Sequence, residues 1–208
     1  QIISLSQGWN MISFNVIPNN PNLISPDGTE GVFSDLACGG VNSENNNLVK
    51  VIGYGSSGWG SIIEFLTFTD PPEWGNTIGN AEVTEGYHVR VTGNHALVVS
   101  GTPIELPVTI PLSVGWNAIS YPANYERDAL EVLQSLIDEN SLVKVINESG
   151  SLIEWLTFTD PPEWGNSIGN FKPGEGYYVR VNKNTQLTIY EGDPNLKIEP
   201  TPDIAYGP

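Results

Sequence analysis

The sequence predicts a mainly β protein with some α+β character, built from two tandem homologous modules and an extended C-terminal tail. Three observations carry this prediction. Four sequence blocks occur twice in the same order. Short runs rich in β-branched residues recur between turn residues, a pattern typical of strands. The 208 residues include 22 Gly and 16 Pro and are only 15% charged, which favours turns over long helices. Each module is expected to be a β-sandwich or an open barrel with one short helix.

The repeated blocks establish the domain organisation. Their order in copy one is GWNMIS, LVKVI, TFTDPPEWGNTIGN and GYHVRV, and in copy two GWNAIS, LVKVI, TFTDPPEWGNSIGN and GYYVRV. We therefore expect copy one over residues 1–104, copy two over 105–192 and a Pro-rich tail over 193–208. Copy one is longer between its first two blocks and again in the loop 53–60. Insertions of this kind belong in surface loops, where added length costs little.

The secondary structure elements follow from the local patterns. We expect strands in copy one over residues 2–5, 10–16, 48–54, 61–68, 87–92 and 96–100, with matching strands in copy two, the first over 108–112. In copy two, Leu130, Leu133, Leu136 and Ile137 have helical spacing, so a helix is predicted over 127–139. Its counterpart in copy one would be shorter, over 32–38. The DPPEWGN segment is predicted to form a turn, opened by Asp-Pro-Pro and closed by Trp-Gly-Asn.

Charge excludes several classes of partner. The net charge is −16, from 24 acidic and 8 basic residues. Nucleic acid is disfavoured as a ligand because phosphate binding needs clustered Lys and Arg, and an anionic membrane surface is disfavoured for the same reason. No apolar run is long enough for membrane insertion. The charge mainly indicates solubility; Ca²⁺ binding in acidic loops is a weaker interpretation, since no EF-hand pattern occurs. Neither His88 nor His95 belongs to a metal-site pattern, so no metal or cofactor is expected, and both are expected at the surface.

Single residues bear on the compartment. Cys38 has no intrachain partner, so it is expected to be a small buried apolar residue or, in a secreted protein, to pair with another chain. The chain starts at Gln1, which favours a mature chain after leader removal over a trimmed one. Asn147 opens one N-glycosylation sequon, Asn147-Glu148-Ser149.

The order of the motifs resembles a known module. G-W-N-x-I-S, an apolar strand pair and then G-E-G-Y-x-V resemble a β-module that recurs in secreted and surface proteins of bacteria and archaea. The resemblance covers nearly all of residues 1–192. It implies an extracellular or cell-surface location and the role of a building block, and no catalytic motif accompanies it. His88 departs from the aromatic residue expected after the motif Tyr, whereas Tyr178 keeps it.

Two carboxylate pairs raise the question of catalysis. Asp70 and Glu73 recur as Asp160 and Glu163, and a carboxylate pair can hydrolyse a glycosidic bond. Each pair, however, lies in a Pro-rich turn, and the duplication would give two identical half-sites where a glycosidase needs one cleft. We therefore expect no catalytic residues, and a glycoside hydrolase is the weakest of the functional interpretations.

Tryptophans offer a second kind of site. Trp74 and Trp164, joined by Trp59 and Trp155, could form a platform on which glycans stack. For Trp74 and Trp164 the favoured interpretation is packing against the module core; the glycan platform is an alternative and a subunit contact is a third. Trp9 and Trp116 are expected to pack inside.

The tail suggests self-assembly. The segment GDPNLKIEP after copy two is similar to GTPIELP after copy one, but no third module follows. We expect the tail of one subunit to add a strand to copy one of the next, which would build a filament if the contacts do not close a ring. The residues expected at this contact are Leu196, Ile198, Ile204 and Tyr206 of the tail and Ile2, Ile3 and Leu5 of the acceptor. The predicted function is thus that of a non-catalytic extracellular filament or fibril subunit whose partners are copies of itself; the alternative is a carbohydrate-binding or adhesive module.

Overall fold

A computed structural model describes residues 1–37, 46–54 and 60–192 of the chain. It confirms the predicted fold class: the protein is mainly β, with two five-stranded sheets in tandem that do not close into barrels and with few helical residues. Cys38, Trp59 and the tail residues 193–208 lie outside the described residues.

Copy one is built from short antiparallel strands. Its strands are β1 (Ile2–Leu5), β2 (Gly8–Ile12), β3 (Val16–Pro18), β4 (Leu48–Gly53), β5 (Ser61–Leu66), β6 (Glu73–Asn76), β7 (Tyr87–Val91), β8 (His95–Val98) and β9 (Gly101–Pro103). The main sheet has the order β2-β7-β4-β5-β6. The pairs β1-β8 and β3-β9 form two separate two-stranded sheets. Each main sheet therefore has two edge strands, and the small sheets cover its apolar face.

Copy two repeats this plan. Its elements are β10 (Val108–Leu112), β11 (Gly115–Ser120), β12 (Arg127–Asp128), α1 (Ala129–Val132), α2 (Gln134–Asp138), β13 (Leu142–Ile146), β14 (Leu152–Leu156), β15 (Glu163–Asn166), β16 (Asn170–Phe171), β17 (Gly176–Val181) and β18 (Thr185–Ile189). The main sheet has the order β11-β17-β13-β14-β15, and β10 pairs with β18 as β1 does with β8. The duplication in sequence is thus a duplication in topology.

Helix is confined to copy two among the described residues. The helix predicted over 127–139 is two short segments, α1 and α2, joined at Leu133. Asp128 caps α1, since its carboxylate accepts hydrogen bonds from the backbone N–H groups of Leu130 and Glu131. The helix expected over 32–38 in copy one is wrong: residues 32–37 form consecutive turns, because so short a segment makes too few i→i−4 bonds to propagate. None of the helical segments in the described part of the chain has the length and apolar character that crossing a membrane requires.

The EWGN segments are strands, which corrects the prediction that Trp-Gly-Asn closes a turn. β6 pairs with β5 through Phe65 and Trp74, and β15 pairs with β14 through Trp155 and Trp164. Both are edge strands. At this edge of each main sheet, the outward N–H and C=O groups of β6 or β15 therefore have no neighbouring strand in the sheet.

Each module has its own hydrophobic core. In both, the side chains that point inward from the main sheet pack against the small sheets and the connecting segment. Fully buried examples are Phe14, Val51, Ile63 and Val89 in copy one and Leu136, Val145, Ile153 and Val179 in copy two. The two cores do not merge, and the modules meet through backbone and polar contacts, with the buried Met11 and the ring contact of Tyr54 with Tyr178 added to them.

Candidate functional site

The two modules contact each other through the last residue of the G-W-N-x-I-S motif. Ser13 of copy one donates its backbone N–H to the carbonyl of Gly174 at 2.9 Å and its hydroxyl to the carbonyl of Glu175 at 2.7 Å. Ser120 of copy two makes the equivalent backbone bond, from its N–H to the carbonyl of Thr84 at 3.2 Å, whereas its hydroxyl donates to the carbonyl of Val83. Both serines are fully buried. The repeated serine thus joins the modules.

Glycine from the G-E-G-Y motif allows this approach. A β-carbon on Gly176 would lie 2.8 Å from the carbonyl oxygen of Ile12, and one on Gly86 would lie 2.8 Å from that of Ile119. Real β-carbons do not approach a backbone atom so closely. The G-E-G-Y motif of each copy therefore contacts the G-W-N-x-I-S motif of the other copy.

The contact between the modules is isologous. The bridges Ile12 to Glu175 and Ile119 to Glu85 are equivalent by the sequence repeat, so each surface serves once in each module. An isologous contact closes on itself and cannot be extended to a third module. Any assembly of whole chains must therefore use another surface.

Such a surface exists along β1, which is paired on one side only. Gln1 and Val99 exchange two backbone hydrogen bonds of 2.9 Å. Because such pairs alternate along an antiparallel ladder, the backbone N–H and C=O groups of Ile3 and Leu5 also point to β8. The N–H and C=O groups of Ile2 and Ser4 then point away from β8. No residue within the described ranges makes a hydrogen bond to them.

This open edge borders a cleft between the modules. The cleft has a volume of about 610 Å³ and an open mouth. One wall is formed by β1 and β2, including Ile2, Ser4 and Trp9. The opposite wall belongs to copy two and consists of residues 147–149, Ile168, Asn170 and 172–176. Both polar and apolar groups line the cleft.

Copy two blocks the equivalent edge. By the repeat and the strand register, Pro111 of β10 stands where Ser4 stands in β1. Proline has no N–H to donate and is typical of strand edges that are closed to pairing. Only copy one therefore offers an open leading strand in the described part of the chain.

A polar cluster of both modules lies near the cleft. The His88 ring lies against Trp9, with centroids 4.6 Å apart, and its Nε2 atom lies 3.1 Å from a carboxylate oxygen of Glu148. The Tyr178 hydroxyl donates to that of Tyr54 at 2.9 Å. Burial is the largest cause that raises the pKa of Tyr178. His88, expected at the surface, is instead half-buried between the modules, because its aromatic ring packs where the interface forms.

The predicted acceptor residues divide by the strand alternation. Ile2 is 73% exposed, whereas Ile3 and Leu5 are buried in the core of copy one. The side chains of Ile3 and Leu5 point inward, so Ile2 is the acceptor residue whose side chain is exposed to another subunit. The tail residues Leu196, Ile198, Ile204 and Tyr206 lie outside the described residues.

The structure divides the tryptophans between the core and the surface. Trp74 is 2% exposed, so it packs in the core, as the favoured interpretation expects, and offers no ligand surface. Trp164 is only partly buried, and Trp155, which is 49% exposed, contacts it edge to face at 5.7 Å. Trp9 and Trp116 do not pack inside: each lies on the outer face of its sheet, where Arg90 and Arg180 sit 5.9 Å from the respective ring centres. The alternation places them outward because Ile12 and Ile119, three positions further along, occupy the inward face of β2 and β11. Trp59 lies outside the described residues.

A loop explains why Trp74 and Trp164 differ. In copy one, residues 25–31 fold over Trp74. The backbone N–H of Trp74 donates to the carbonyl of Pro26 at 2.7 Å, and Gly28 lies against the indole ring. Asn22 and Asp128 are equivalent, since each pairs with the Asn after the repeated EWGN block. The chain of copy two enters α1 directly after Asp128, so it has no such loop. The aromatic pair of copy two is consequently left uncovered.

The remaining candidates show no assembled chemistry. Asp70, Asp160 and Glu163 lie exposed around the DPP turns, with Glu73 half-buried, and no basic side chain of the described chain lies within ion-pair distance of any of them. Asn147 lies in the turn between β13 and β14, where its side-chain oxygen accepts hydrogen bonds from the Ser149 hydroxyl and the Ser151 N–H. The side-chain oxygen of the sequon residue Asn147 is thus hydrogen-bonded within its own turn, and Asn147 lines the cleft.

Comparisons of the chain with protein-family models, with curated proteins and with solved structures find no match. The assignment of function therefore depends on the geometry described above.

Proposed function

We propose that the protein is a non-catalytic structural subunit that assembles head to tail at the outside of the cell, by adding the C-terminal tail of one chain to β1 of the next. The observation that carries the proposal is the open edge of β1 beside the cleft. Ile2 and Ser4 present four backbone groups there without partners in the described structure. Exposed strand edges bind extended segments through main-chain hydrogen bonds, and pockets beside them select the side chains.

The tail has the chemistry of the missing strand. In DPNLKIEP, the apolar residues Leu196 and Ile198 alternate with polar ones, as in a strand that buries one face. It is also long enough, since four extended residues already span the length of β1.

The architecture of the two modules supports a polar, head-to-tail mode. Their isologous interface is satisfied within the chain, and Pro111 closes the equivalent edge of copy two. The edge of β1 in one chain and the tail of another are different surfaces, so their contact is heterologous and propagates unless it closes a ring. The extracellular location rests on the resemblance of the motifs to modules of secreted and surface proteins.

The test transfers the closed edge of copy two to copy one. In Ser4→Pro the added strand loses one backbone donor and meets the proline ring, while the pairing of β1 with β8 is untouched, because the Ser4 N–H points away from β8. We expect a subunit affinity at least about tenfold weaker, measured by light scattering over a concentration series and by electron microscopy.

Two variants serve as controls. Ser4→Ala keeps the backbone donor and should assemble like the unmodified chain, and deletion of residues 193–208 should abolish assembly. Circular dichroism and thermal melting establish that each variant is folded. Assembly that survives both Ser4→Pro and the tail deletion would falsify the proposal, as would a full-length chain that stays monomeric at high concentration.

A further inference from the structure

We infer that the uncovered aromatic pair of copy two, Trp155 and Trp164, together with the outer edge of β15, is a second docking site for the tail, which takes residues 200–203 of the neighbouring subunit. This inference rests on the proposed assembly and adds to it a site and a segment. It assigns the exposed tryptophans to a peptide partner in place of a glycan.

Copy one contains the occupied form of the same site. The carbonyl of Pro26 accepts from the Trp74 N–H at 2.7 Å, and that of Ile24 accepts from the side-chain amide of Asn76 at 3.3 Å. Residues 24 and 26 thus meet residues 76 and 74 in antiparallel order. Copy one thus shows that a proline-containing loop, turned at Pro26 and Asp27, can cover this edge and its aromatic pair.

Copy two presents the same donors without acceptors. Trp164 and Asn166 are equivalent to Trp74 and Asn76 by the repeat and by strand register. No acceptor for the Trp164 N–H occurs in the ranges that the structure describes. Among the described residues, the side-chain amide of Asn166 donates only to the carbonyl of Gly169, whereas that of Asn76 also donates to Asn22 and Ile24.

The size of the exposed surface also calls for a partner. Trp155 is 49% exposed. Phe158 is 83% exposed, as is its equivalent Phe68 in copy one, so Trp155 is the residue of this surface that sets copy two apart. Large aromatic groups beside an open strand edge are typical of recognition surfaces. In copy one the smaller Phe65 stands in place of Trp155, under the loop that copy two lacks.

The tail carries the sequence of the covering loop. That loop reads Ser25-Pro26-Asp27, and the tail reads Thr201-Pro202-Asp203. In the loop, the Asp27 carboxylate accepts from the hydroxyl of Ser25 at 2.6 Å and from the N–H of Thr29 at 3.1 Å, which shapes the turn after the proline. Thr201 and Asp203 can form the same hydroxyl to carboxylate bond.

The two docking sites are contiguous and in the right order. Ile168 and Asn170 line the cleft, and Asn166 and Trp164 follow in the direction away from it. A tail that fills the cleft with residues 195–199 and continues past Ile168 would reach Asn166 first and Trp164 second. That direction is antiparallel to β15, as residues 24–26 are to β6. The carbonyls of Pro200 and Pro202 would then take the places of those of Ile24 and Pro26.

Hydrogen exchange tests this assignment with a control inside the chain. The segments Glu163–Asn166 and Glu73–Asn76 have the same sequence, EWGN, so their intrinsic exchange rates match. Peptides extended to Ser167 or Thr77 differ in mass. In the unassembled Ser4→Pro chain, we expect the β15 segment to exchange at least about tenfold faster than β6; in assembled full-length protein, the difference should disappear.

Two variants locate the occupant. A chain that ends at Glu199 keeps Leu196 and Ile198, so it should still assemble, more weakly, and should lose the protection of β15. Full-length Trp155→Thr retains a residue that favours strands and should lose the same protection without unfolding.

Each other outcome overturns the assignment in a distinct way. If full-length protein assembles but β15 exchanges as fast as in Ser4→Pro, the second site is wrong and the first stands. If β15 is protected from exchange in the dilute Ser4→Pro chain and removal of residues 200–208 abolishes that protection, the occupant of the second site is the tail of the same chain. Protection that requires added oligosaccharide would assign a glycan. If the full-length chain does not assemble, the proposed function fails first and this inference with it.

Discussion

Individual residues of the repeated motifs have separable structural tasks. In G-W-N-x-I-S, the glycine adopts a φ of about +100°, as Gly8 and Gly115 both show, a region that disfavours side chains. Asn10 holds the turn before β2, since its side chain accepts from the N–H of Ser6 and donates to the Ser6 carbonyl, each at 2.8 Å. The final serine joins the modules. The motif thus encodes a turn, a sheet surface and an interface in six residues.

Gly176 gives the sharpest test at this scale. In Gly176→Ala the new methyl group would press on the carbonyl of Ile12, a backbone atom that cannot rotate away. We expect a loss of about 1–3 kcal/mol in the free energy of unfolding, the usual cost of an overpacked contact. Chemical denaturation followed by circular dichroism measures it.

The control for this substitution is Gly93→Ala. Gly93 has no positive φ, and a β-carbon there would have its nearest neighbour 3.5 Å away, an ordinary contact. Equal stability losses in the two variants would show that the close approach at Gly176 is not what the glycine provides.

Among the elements, the covering loop 25–31 of copy one is held by one carboxylate. Asp27 accepts hydrogen bonds from the Ser25 hydroxyl and from the N–H and hydroxyl of Thr29. The bond from Ser25 is the largest cause that lowers the pKa of Asp27 below its ordinary value of 3.8. A lowered pKa means that the loop is stabilised above pH 3.8 and loses that stabilisation as the pH falls through the folded-state value.

Removal of this carboxylate should uncover Trp74. In Asp27→Ala, we expect faster hydrogen exchange of residues 24–31 and of the Trp74 amide at neutral pH, and the unmodified loop should approach that behaviour only in strong acid. Asp35→Ala, at an exposed position of the same connection, is the matched control. Unchanged exchange in Asp27→Ala would mean that Pro26 and Gly28 hold the loop without the Asp27 turn.

The elements also show what the sequence could and could not predict. The leading strands over 2–5 and 108–112 were predicted to the residue, because alternation and β-branched residues dominate there. β6 and β15 were missed, since the Pro-Pro and Gly around a single Trp carry the signature of a turn. The outward orientation of Trp116 was missed as well, because a tryptophan beside a glycine looks apolar at either face of a strand. The open edge of β1 was anticipated from the tail, but its limits at Ile2 and Ser4 depend on a hydrogen-bond register that no local pattern reveals.

At the scale of the whole molecule, the contact between modules includes an acidic group that folding places unfavourably. Glu85 pairs across the interface with Ile119. Burial is the largest cause that raises the pKa of Glu85 above its ordinary value of 4.5, and the nearby Glu82 carboxylate adds to it. With a raised folded-state pKa, the contribution of Glu85 to stability is most favourable below its ordinary value of 4.5 and is lost as the pH rises through the folded-state value.

Glu85→Gln should remove this dependence. We expect the variant to melt at a higher temperature than the unmodified protein at pH 7 and at a similar temperature near pH 4, as measured by scanning calorimetry. Glu82→Gln relieves only the repulsion and should have a smaller effect. A difference in melting temperature that is the same at both pH values would contradict a titration of Glu85.

The unequal edges of the two modules have a consequence for growth. Two copies of a module joined by a closed, reciprocal contact form a nearly symmetric pair whose two ends are alike. The symmetry is broken at two places. Copy one has Ser4 where copy two has Pro111, and the tryptophan of β6 is covered where that of β15 is not, so the two ends of the chain differ. A polymer of such chains would end in a vacant β1 at one extremity and in a free tail at the other. The two ends would then elongate at different rates, and a chain with Ser4→Pro would cap one end only.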